Sequence, residues 1–282
     1  MPELRAVRPE ALAELPVSAP CLTEAYGPDP MQFGELRLPT GDGPHPIAVI
    51  VHGGCWTKGF ATLAYMRPLA DRLAAVGLAT WTIEYRQVGD DGGGWPGTFL
   101  DWAAGLDHVR TLAARYPLDL SRVVALGHSA GGHAGLWLAA RPTLDAASPI
   151  RGGSPLKISA AVSIDGPGDL VTYADRYERI CGGPVIAGLM GGRPDAVPSR
   201  YADGDPVRRL PLGIAQVLIA STFLTPDAAA DYQTRATVAG DRVEVLALED
   251  AGHFDMLAPG TPSGALTEAL ILRAVGLGGA AA

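Results

Sequence analysis

The sequence predicts a doubly wound α/β domain built on a mostly parallel sheet. Short apolar runs of strand length alternate along the chain with segments of helical periodicity, which is typical of a parallel sheet covered by helices on both faces. Residues 47–51 are apolar throughout, as expected of a strand that is buried on both sides. The chain has 282 residues with neither an internal repeat nor a long linker, so we expect a single domain over residues 1–282.

The elements of the first half follow in order. Residues 1–20 alternate Pro, Ala and Glu and predict a weakly ordered arm or a short helix. Two strand-like pieces at residues 22–26 and 32–38 flank Gly-Pro-Asp-Pro, which predicts a hairpin. Further strands are predicted at residues 47–51 and 77–85, and helices at residues 62–75 and 99–116.

The second half continues this alternation. Residues 167–213 show no clear period and are rich in Gly, Pro and Arg, so we expect a small cap insertion there. Thr261 and Pro262 are a typical N-cap and first residue of a terminal helix. The other predicted elements are strands at residues 123–126, 158–164, 215–220 and 242–248, and helices at residues 134–140, 226–238 and 261–277.

Composition restricts the partners and the compartment. The 22 Lys and Arg residues against 30 Asp and Glu give a net charge of −8, which disfavours nucleic acid as a partner. The sequence shows no basic patch for a membrane surface, no segment of transmembrane length, and no apolar run near its start that would predict a signal peptide. Cys21, Cys55 and Cys181 are odd in number and widely spaced, so no disulfide framework is predicted. We therefore expect a reduced, soluble, cytoplasmic protein.

One motif carries the predicted chemistry, the stretch Gly127-His-Ser129-Ala-Gly131 between a predicted strand and a predicted helix. A serine hydroxyl is a poor nucleophile and must stand free within reach of a base. A tight strand-to-helix turn provides that position, and it leaves room only for small residues two places before and after the serine. The strand before and the helix after favour a nucleophilic Ser129 over an incidental glycine-rich turn.

The base for this serine follows by elimination among six histidines. His253 lies after the last predicted strand, on a loop at the carboxyl end of the sheet, where ligands bind in open parallel sheets. The others are His45 in a proline-rich turn, His52 at a strand end, His108 inside a helix, and His128 and His133 flanking the serine. We therefore predict His253 as the general base.

The loop His52-Gly-Gly-Cys55-Trp follows the apolar strand at residues 47–51. Its two glycines allow the backbone to approach a substrate closely, and successive N–H groups there can point at one oxygen. We predict an oxyanion hole formed by the N–H groups of Gly54, Cys55 and Ala130. Cys55 would then lie beside the site without being a nucleophile, because no histidine is left to activate it.

Taken together, His52-Gly-Gly-Cys-Trp, Glu84-Tyr-Arg, Gly127-His-Ser-Ala-Gly-Gly and Gly252-His-Phe resemble the motifs of the α/β-hydrolase superfamily and occur in its order. Within that superfamily the chain is similar to small esterases related to kynurenine formamidase and hormone-sensitive lipase. The resemblance implies the α/β-hydrolase fold, a Ser–acid–His triad that works through an acyl-enzyme, ester or amide substrates, and no metal or cofactor.

The acid of this triad is the point where the sequence departs from the family. The family's acid follows the strand that corresponds to residues 215–220, but the chain has Ser-Thr-Phe-Leu-Thr-Pro at residues 221–226. Asp165 ends the preceding strand, where some α/β-hydrolases carry their acid, and it keeps the order Ser…Asp…His. Asp227 is the alternative acid, although Thr225, Pro226 and Asp227 also suit a helix start. A chain with no triad acid is the third reading.

The sequence thus predicts a serine hydrolase that cleaves small carboxylic esters through Ser129, His253 and Asp165. One alternative is an arylformamidase-like amide hydrolase, which the His-Gly-Gly-x-Trp loop favours. Another is a non-hydrolytic ligand-binding or lyase member of the fold, which the missing acid motif favours. The expected partner is a small-molecule ester or amide, without nucleic acid or membrane, and the oligomeric state stays open between a monomer and a homodimer.

Overall fold

The computed structural model of the chain describes residues 7–248 and 250–278. Residues 1–6 of the predicted N-terminal arm lie outside this description. The strands are β1 (Leu22–Ala25), β2 (Phe33–Arg37), β3 (His45–Val51), β4 (Ala79–Ile83), β5 (Leu118–His128), β6 (Ala160–Ile164), β7 (Ala215–Ala220) and β8 (Val243–Ala247). The α-helices are α1 (Pro9–Ala13), α2 (Arg67–Ala75), α3 (Gly97–Asp107), α4 (Val109–Ala113), α5 (Ala130–Ala140), α6 (Ala174–Cys181), α7 (Val185–Met190), α8 (Pro198–Gly204), α9 (Pro226–Ala239) and α10 (Pro262–Ala274).

Within the described residues, eight strands form one sheet in the order β1-β2-β4-β3-β5-β6-β7-β8. The pairs β1–β2 and β2–β4 are antiparallel, and every pair from β4 to β8 is parallel. This topology confirms the predicted mostly parallel α/β fold. It also brings the carboxyl ends of β3, β5, β6, β7 and β8 to one edge of the sheet, where open α/β sheets bind ligands.

The apolar strand β3 shows why the sheet is covered on both faces. Successive side chains of a strand point to opposite faces. Ile47 and Val49 accordingly pack in a layer with side chains of α3, α5 and α9, whereas Ala48 and Ile50 pack in a second layer with α2 and α10. Since both faces lie under helices, no polar residue is accommodated along this part of β3.

The structure departs from the predicted elements in several places. His45 is the first residue of β3 and does not lie in a turn, because it pairs with Leu118 of β5. The helix predicted at residues 99–116 is divided at His108 into α3 and α4. The stretch predicted as an aperiodic cap contains α6, α7 and α8, which have 8, 6 and 7 residues and are too short for a clear periodicity. The predicted N-cap Thr261 is confirmed, because its side chain accepts a hydrogen bond from Gly264 N.

The turn between β5 and α5 has no room for a side chain at its two outer glycines. A Cβ atom at Gly127 would lie 2.1 Å from the carbonyl oxygen of Gly131, and one at Gly131 would lie 2.0 Å from that of Val51. Both obstacles are backbone atoms, one at the start of α5 and one at the end of β3. They cannot move without disturbing the sheet, so packing of β3 against the turn dictates glycine at these positions.

We expect Gly131→Ala to lower the free energy of unfolding by about 2 kcal/mol or more, because the added methyl group overpacks rigid backbone. Gly153→Ala is the matched control, since a Cβ there meets nothing within 4 Å. Denaturant titration measures both variants. A Gly131→Ala protein as stable as the Gly153→Ala protein would contradict the described turn.

Candidate active site

The candidate nucleophile stands where β5 meets α5. Ser129 has φ 56° and ψ −122°, a conformation that is strained for a residue with a Cβ. Its backbone N–H donates to Ile164 O over 2.9 Å, which ties the turn to the end of β6. The side chain is 4% exposed at the N-terminus of α5, where helix N–H groups favour negative charge. The turn therefore presents the hydroxyl on a rigid support.

The candidate base and acid meet at the same edge of the sheet. Nδ1 of His253 lies 2.6 Å from Oδ2 of Asp165, which is hydrogen-bond distance. Because an ionised carboxylate can only accept, Nδ1 carries the proton that it donates to Asp165. His253 and Ser129 line one cavity. Among the contacts of the described residues no hydrogen bond joins Ser129 Oγ to the His253 ring, and such bonds often tighten only when substrate binds.

The loop after β7 holds the carboxylate of Asp165. Oδ1 accepts the backbone N–H groups of Ser221 and Leu224, each over 2.9 Å. Oδ2 accepts the Ser221 hydroxyl over 2.8 Å and the Phe223 N–H over 3.0 Å. Burial raises the pKa of Asp165, but the hydrogen bond and charge of His253 together with these donors hold it below its ordinary value. Residues 221–224, where the family's usual acid is missing, thus donate hydrogen bonds to Asp165 at the end of the neighbouring strand β6.

The alternative acid stands elsewhere. Asp227 is exposed in the first turn of α9, and Thr225 caps that helix by accepting a hydrogen bond from Ala228 N. Among the described contacts Asp227 has no hydrogen bond to His253. The structure therefore brings Asp165, and not Asp227, to the histidine, and it gives Asp227 the position of a favourable charge at a helix start.

The candidate oxyanion loop follows β3 in an unusual conformation. Gly54, Cys55 and Trp56 all have positive φ, at 113°, 51° and 56°. Gly54 and Cys55 line the cavity together with Ser129. Within the described residues, no group accepts a hydrogen bond from the N–H of Gly54, Cys55 or Ala130. Three backbone N–H groups, on the loop after β3 and at the start of α5, are thus left without an acceptor, and an oxyanion hole requires free donors of this kind.

A buried contact between His52 and Glu84 lies at the start of this loop. Nε2 of His52 lies 2.5 Å from Oε1 of Glu84, and Nδ1 lies 2.6 Å from the carbonyl oxygen of Gly53. Both ring nitrogens of His52 are therefore engaged by oxygen atoms. Burial raises the pKa of Glu84, but the charge and hydrogen bond of His52 and the N–H groups of Leu63 and Tyr85 hold it below its ordinary value. His52 therefore positions the loop and is not free to act as a base.

Two site residues were missed by the sequence reasoning, Tyr65 and His128. Gly53 N–H donates to the Tyr65 hydroxyl over 2.5 Å, and that hydroxyl donates to Nδ1 of His128 over 3.0 Å. Nε2 of His128 donates to the carbonyl oxygen of His253 over 2.8 Å, which fixes the tautomer because a carbonyl only accepts. Burial and the nearby His253 charge keep the pKa of His128 well below its ordinary value, so it stays neutral. This chain connects the oxyanion loop to the histidine loop.

We expect Tyr65→Phe to lower kcat about tenfold, with a smaller effect on KM. The change leaves Gly53 N–H and His128 Nδ1 without their buried partner, at a cost of about 1–3 kcal/mol for each unsatisfied group. Steady-state kinetics with p-nitrophenyl acetate measures the effect, and Tyr116→Phe is the control, since Tyr116 lies outside the cavity. Equal kcat values for the two variants would rule out a positioning role for the Tyr65 hydroxyl.

The cavity beside Ser129 has a volume of about 260 Å³. Its described lining is mostly apolar and contains no Asp, Glu, Lys or Arg; it comprises Pro9, Gly54, Cys55, Phe60, Ala61, Tyr65, His128, Ser129, Ile180, Phe223, His253 and Phe254. A larger cavity of about 620 Å³ lies at the opposite, amino-terminal ends of β7 and β8 and contains none of the candidate residues. The smaller cavity contains Ser129 and His253 and lies at the carboxyl ends of the parallel strands, where open α/β sheets bind ligands. It is therefore the better candidate for the active site.

The cysteines correct a prediction. Cys55 and Cys181 form a disulfide with their Cα atoms 6.0 Å apart, and Cys21 is free and exposed. The prediction of reduced cysteines without a disulfide is therefore wrong. The two partners are 126 residues apart, so only the docking of α6 beside the oxyanion loop brings them together. The cytoplasmic compartment stays a prediction, and it loses the support that it drew from unpaired cysteines.

The part of the chain that the structure describes contains no cluster of three or more His, Cys, Asp or Glu side chains arranged to hold a metal ion. None of the helices in this part is long and apolar enough to cross a membrane.

Residues 35–219, which contain Ser129, Asp165 and the loop after β3, match the BD-FAE family profile. The chain belongs to the BD-FAE family. This BD-FAE membership confirms the predicted α/β-hydrolase fold and the prediction of an esterase-type hydrolase. The closer likeness to kynurenine formamidase and hormone-sensitive lipase stays a prediction.

Solved structures share the fold of this BD-FAE protein. A thermophilic esterase from Thermogutta terrifontis with butyrate bound has 21% identity and a TM-score of 0.70, covering 93% of this chain and 96% of that one. An acetyl ester-xyloside bifunctional hydrolase from Caldicellulosiruptor lactoaceticus has 16% identity and a TM-score of 0.74, covering 93% and 98%. A bifunctional GH43-CE protein from Bacteroides eggerthii has 21% identity and a TM-score of 0.71, and the match spans 90% of this chain but 38% of that protein. No significant match was found among curated protein sequences.

Proposed function

We propose that the protein hydrolyses small carboxylic esters through an acyl-enzyme on Ser129. The observation that carries this proposal is the 2.6 Å contact between His253 Nδ1 and Asp165 Oδ2. With Nδ1 protonated and held by Asp165, Nε2 is the free ring nitrogen that can take a proton. His253 also lines the cavity that contains Ser129, so base and nucleophile share one space.

The first half of the reaction forms the acyl-enzyme. Ser129 Oγ attacks the ester carbonyl carbon while His253 Nε2 takes the hydroxyl proton. The N–H groups of Gly54, Cys55 and Ala130 stabilise the negative charge that develops on the carbonyl oxygen. The tetrahedral intermediate then breaks its bond to the alkoxy oxygen, and the imidazolium returns the proton to the departing alcohol.

The second half repeats these steps with water. His253 Nε2 takes a proton from a water molecule as that water attacks the acyl carbon. The bond to Ser129 Oγ breaks, and the imidazolium gives its proton back to Oγ. Asp165 stays ionised throughout, as its lowered pKa requires, and it stabilises the imidazolium at each stage.

The size and the lining of the cavity favour small, uncharged substrates. Its 260 Å³ falls below the roughly 300–1,000 Å³ of pockets that enclose drug-sized ligands. Its lining offers no charged side chain to pair with an ionic group. A structural neighbour from Thermogutta terrifontis holds butyrate, and one from Caldicellulosiruptor lactoaceticus is described as an acetyl ester hydrolase, which agrees with a short acyl group.

The proposal is tested with a panel of p-nitrophenyl esters together with N-formylkynurenine. We expect turnover of the acetate and butyrate esters and a much lower kcat/KM for N-formylkynurenine. A higher kcat/KM for N-formylkynurenine would support the amide-hydrolase alternative. If the purified protein turns over no ester and no amide, the proposed function is wrong.

A further inference from the structure

The Cys55–Cys181 disulfide joins two walls of the candidate active site. Cys55 belongs to the oxyanion loop after β3, and Cys181 is the last residue of α6, between β6 and β7. Cys55 lines the cavity, and so does Ile180, the residue before Cys181. The covalent bond therefore runs beside the cavity and connects its lining on the two sides.

Two unusually exposed apolar side chains stand at this place. Phe60 is 55% exposed and Ile180 is 52% exposed, although both line the cavity. Among the described residues six large apolar side chains are at least 39% exposed, and two of these six line the same cavity. Exposed apolar groups that border a pocket mark contact with a ligand better than scattered ones do. Phe60 and Ile180 therefore form the mouth of the cavity.

The anchoring of α6 explains why the disulfide matters for Ile180. Tyr177, in the middle of the helix, stacks on Phe223 with ring centroids 4.9 Å apart, and Arg176 donates to the carbonyl oxygens of Thr222 and Phe223. Beyond Tyr177 the side chains of Arg179 and Ile180 are exposed. Cys181 is the buried residue of the last turn, and its side chain is held by the bond to Cys55.

We propose that the disulfide is a specificity clamp, which holds Ile180 at the mouth and limits the length of the apolar group that an ester substrate can place there. This inference rests on the proposed ester hydrolysis. Loss of the bond frees the last turn of α6 from the oxyanion loop, so Ile180 moves outward and a longer alkyl chain fits. The acyl part and the alcohol part of an ester can each carry such an alkyl chain. The experiment below determines which of the two lies at the mouth.

The test compares short and long esters in two series, p-nitrophenyl acetate against octanoate, and ethyl acetate against octyl acetate. It uses the untreated protein, the protein reduced with dithiothreitol, Cys181→Ser, and Ile180→Ala, which keeps the disulfide. Dithiothreitol converts the disulfide to two thiols as it closes to its own cyclic disulfide. Cys21→Ser is the control, because it removes the free cysteine and leaves the clamp intact.

We expect the kcat/KM ratio of long to short ester to rise about tenfold in one of the two series, in Ile180→Ala and on loss of the disulfide, and to stay unchanged in Cys21→Ser. The series that responds identifies whether the acyl or the alcohol chain lies at the mouth. The ratio cancels any general loss of kcat that comes from a loosened oxyanion loop. Ile180→Ala and the reduced wild-type protein keep the test valid if Cys181→Ser does not fold.

Three results would overturn the clamp. One is a ratio that stays within twofold in both series for the reduced protein, whatever the ratio in Ile180→Ala. Another is thiol titration of the untreated, denatured protein that finds three free thiols instead of the one expected for Cys21. If the untreated protein and every variant turn over no ester, the proposed function fails together with the clamp, whereas an unchanged ratio with normal turnover overturns the clamp alone.

Discussion

Asp165→Asn lowers kcat for ester hydrolysis by about 10³- to 10⁴-fold, on the mechanism proposed here. An amide in place of the carboxylate can donate its N–H to Nδ1, so His253 adopts the tautomer with its proton on Nε2, which cannot take the Ser129 proton. The substitution also removes the negative charge that stabilises the imidazolium. Steady-state kinetics with p-nitrophenyl acetate measures kcat, and circular dichroism establishes that the assayed protein is folded.

Asp227→Asn is the matched control for this variant. Asp227 is exposed in the first turn of α9, so its loss removes a helix-dipole contribution of about 0.3–1 kcal/mol and leaves kcat unchanged. Asp165→Asn also disturbs the hydrogen bonds with Ser221, Phe223 and Leu224 and is expected to lower the melting temperature. A large fall in kcat for Asp227→Asn, with near-normal turnover for Asp165→Asn, would assign the acid to the commoner position.

Ser129→Ala and His253→Ala are each expected to lower kcat about 10³-fold or more, and the double variant to be little worse than either. The two side chains act as one unit, because the histidine matters only when it activates the serine. The remaining rate comes from binding and from the N–H groups of Gly54, Cys55 and Ala130, which neither substitution removes. Kinetics of the three variants against wild type form the double-mutant cycle.

The non-additivity is the informative part of this cycle. Losses that multiply in the double variant would mean that His253 acts independently of Ser129. His128→Asn provides a comparison, since His128 also lines the cavity but has both ring nitrogens engaged, by Tyr65 and by the His253 carbonyl. It should act through position alone and cost much less than His253→Ala.

Much of the fold followed from local patterns in the sequence. β3, β5 and β7 each contain an apolar run, because helices cover both faces of the sheet there, and such burial produces the same pattern whatever the order of the strands. The turn at Ser129 was readable because steric exclusion by Val51 and Gly131 leaves glycine as the residue that fits. His253 could be singled out because the carboxyl edge of a parallel sheet is fixed by chain direction.

The acid could not be decided from the sequence, because Asp165 ends one strand and Asp227 follows the neighbouring strand, at the start of the next helix. What distinguishes them is the backbone of residues 221–224, whose N–H groups converge on Asp165 and leave Asp227 in the next helix. The direction in which backbone N–H groups point cannot be read from the types of the residues. The choice between Asp165 and Asp227 therefore depended on the three-dimensional structure.

Long-range pairs were hidden for a related reason. The disulfide joins residues 126 positions apart, and the Tyr65–His128 hydrogen bond spans 63. In neither pair does a sequence motif around one residue predict the position of the other, so the spacing along the chain does not reveal the contact. His45 was misplaced in a turn since its flanking prolines are typical of loops, whereas its backbone pairs with β5.

The most direct test of the central claim is covalent labelling by a fluorophosphonate probe, with the modified residue identified by peptide mass spectrometry. Such a probe phosphonylates a serine whose hydroxyl is activated by a base. We predict one modification, on Ser129, that is absent in Ser129→Ala, slowed at least about 10²-fold in His253→Ala, and unaffected in Asp227→Asn. Labelling at another residue, or folded wild-type protein that resists the probe while control hydrolases react, would contradict the assignment of Ser129 as the nucleophile.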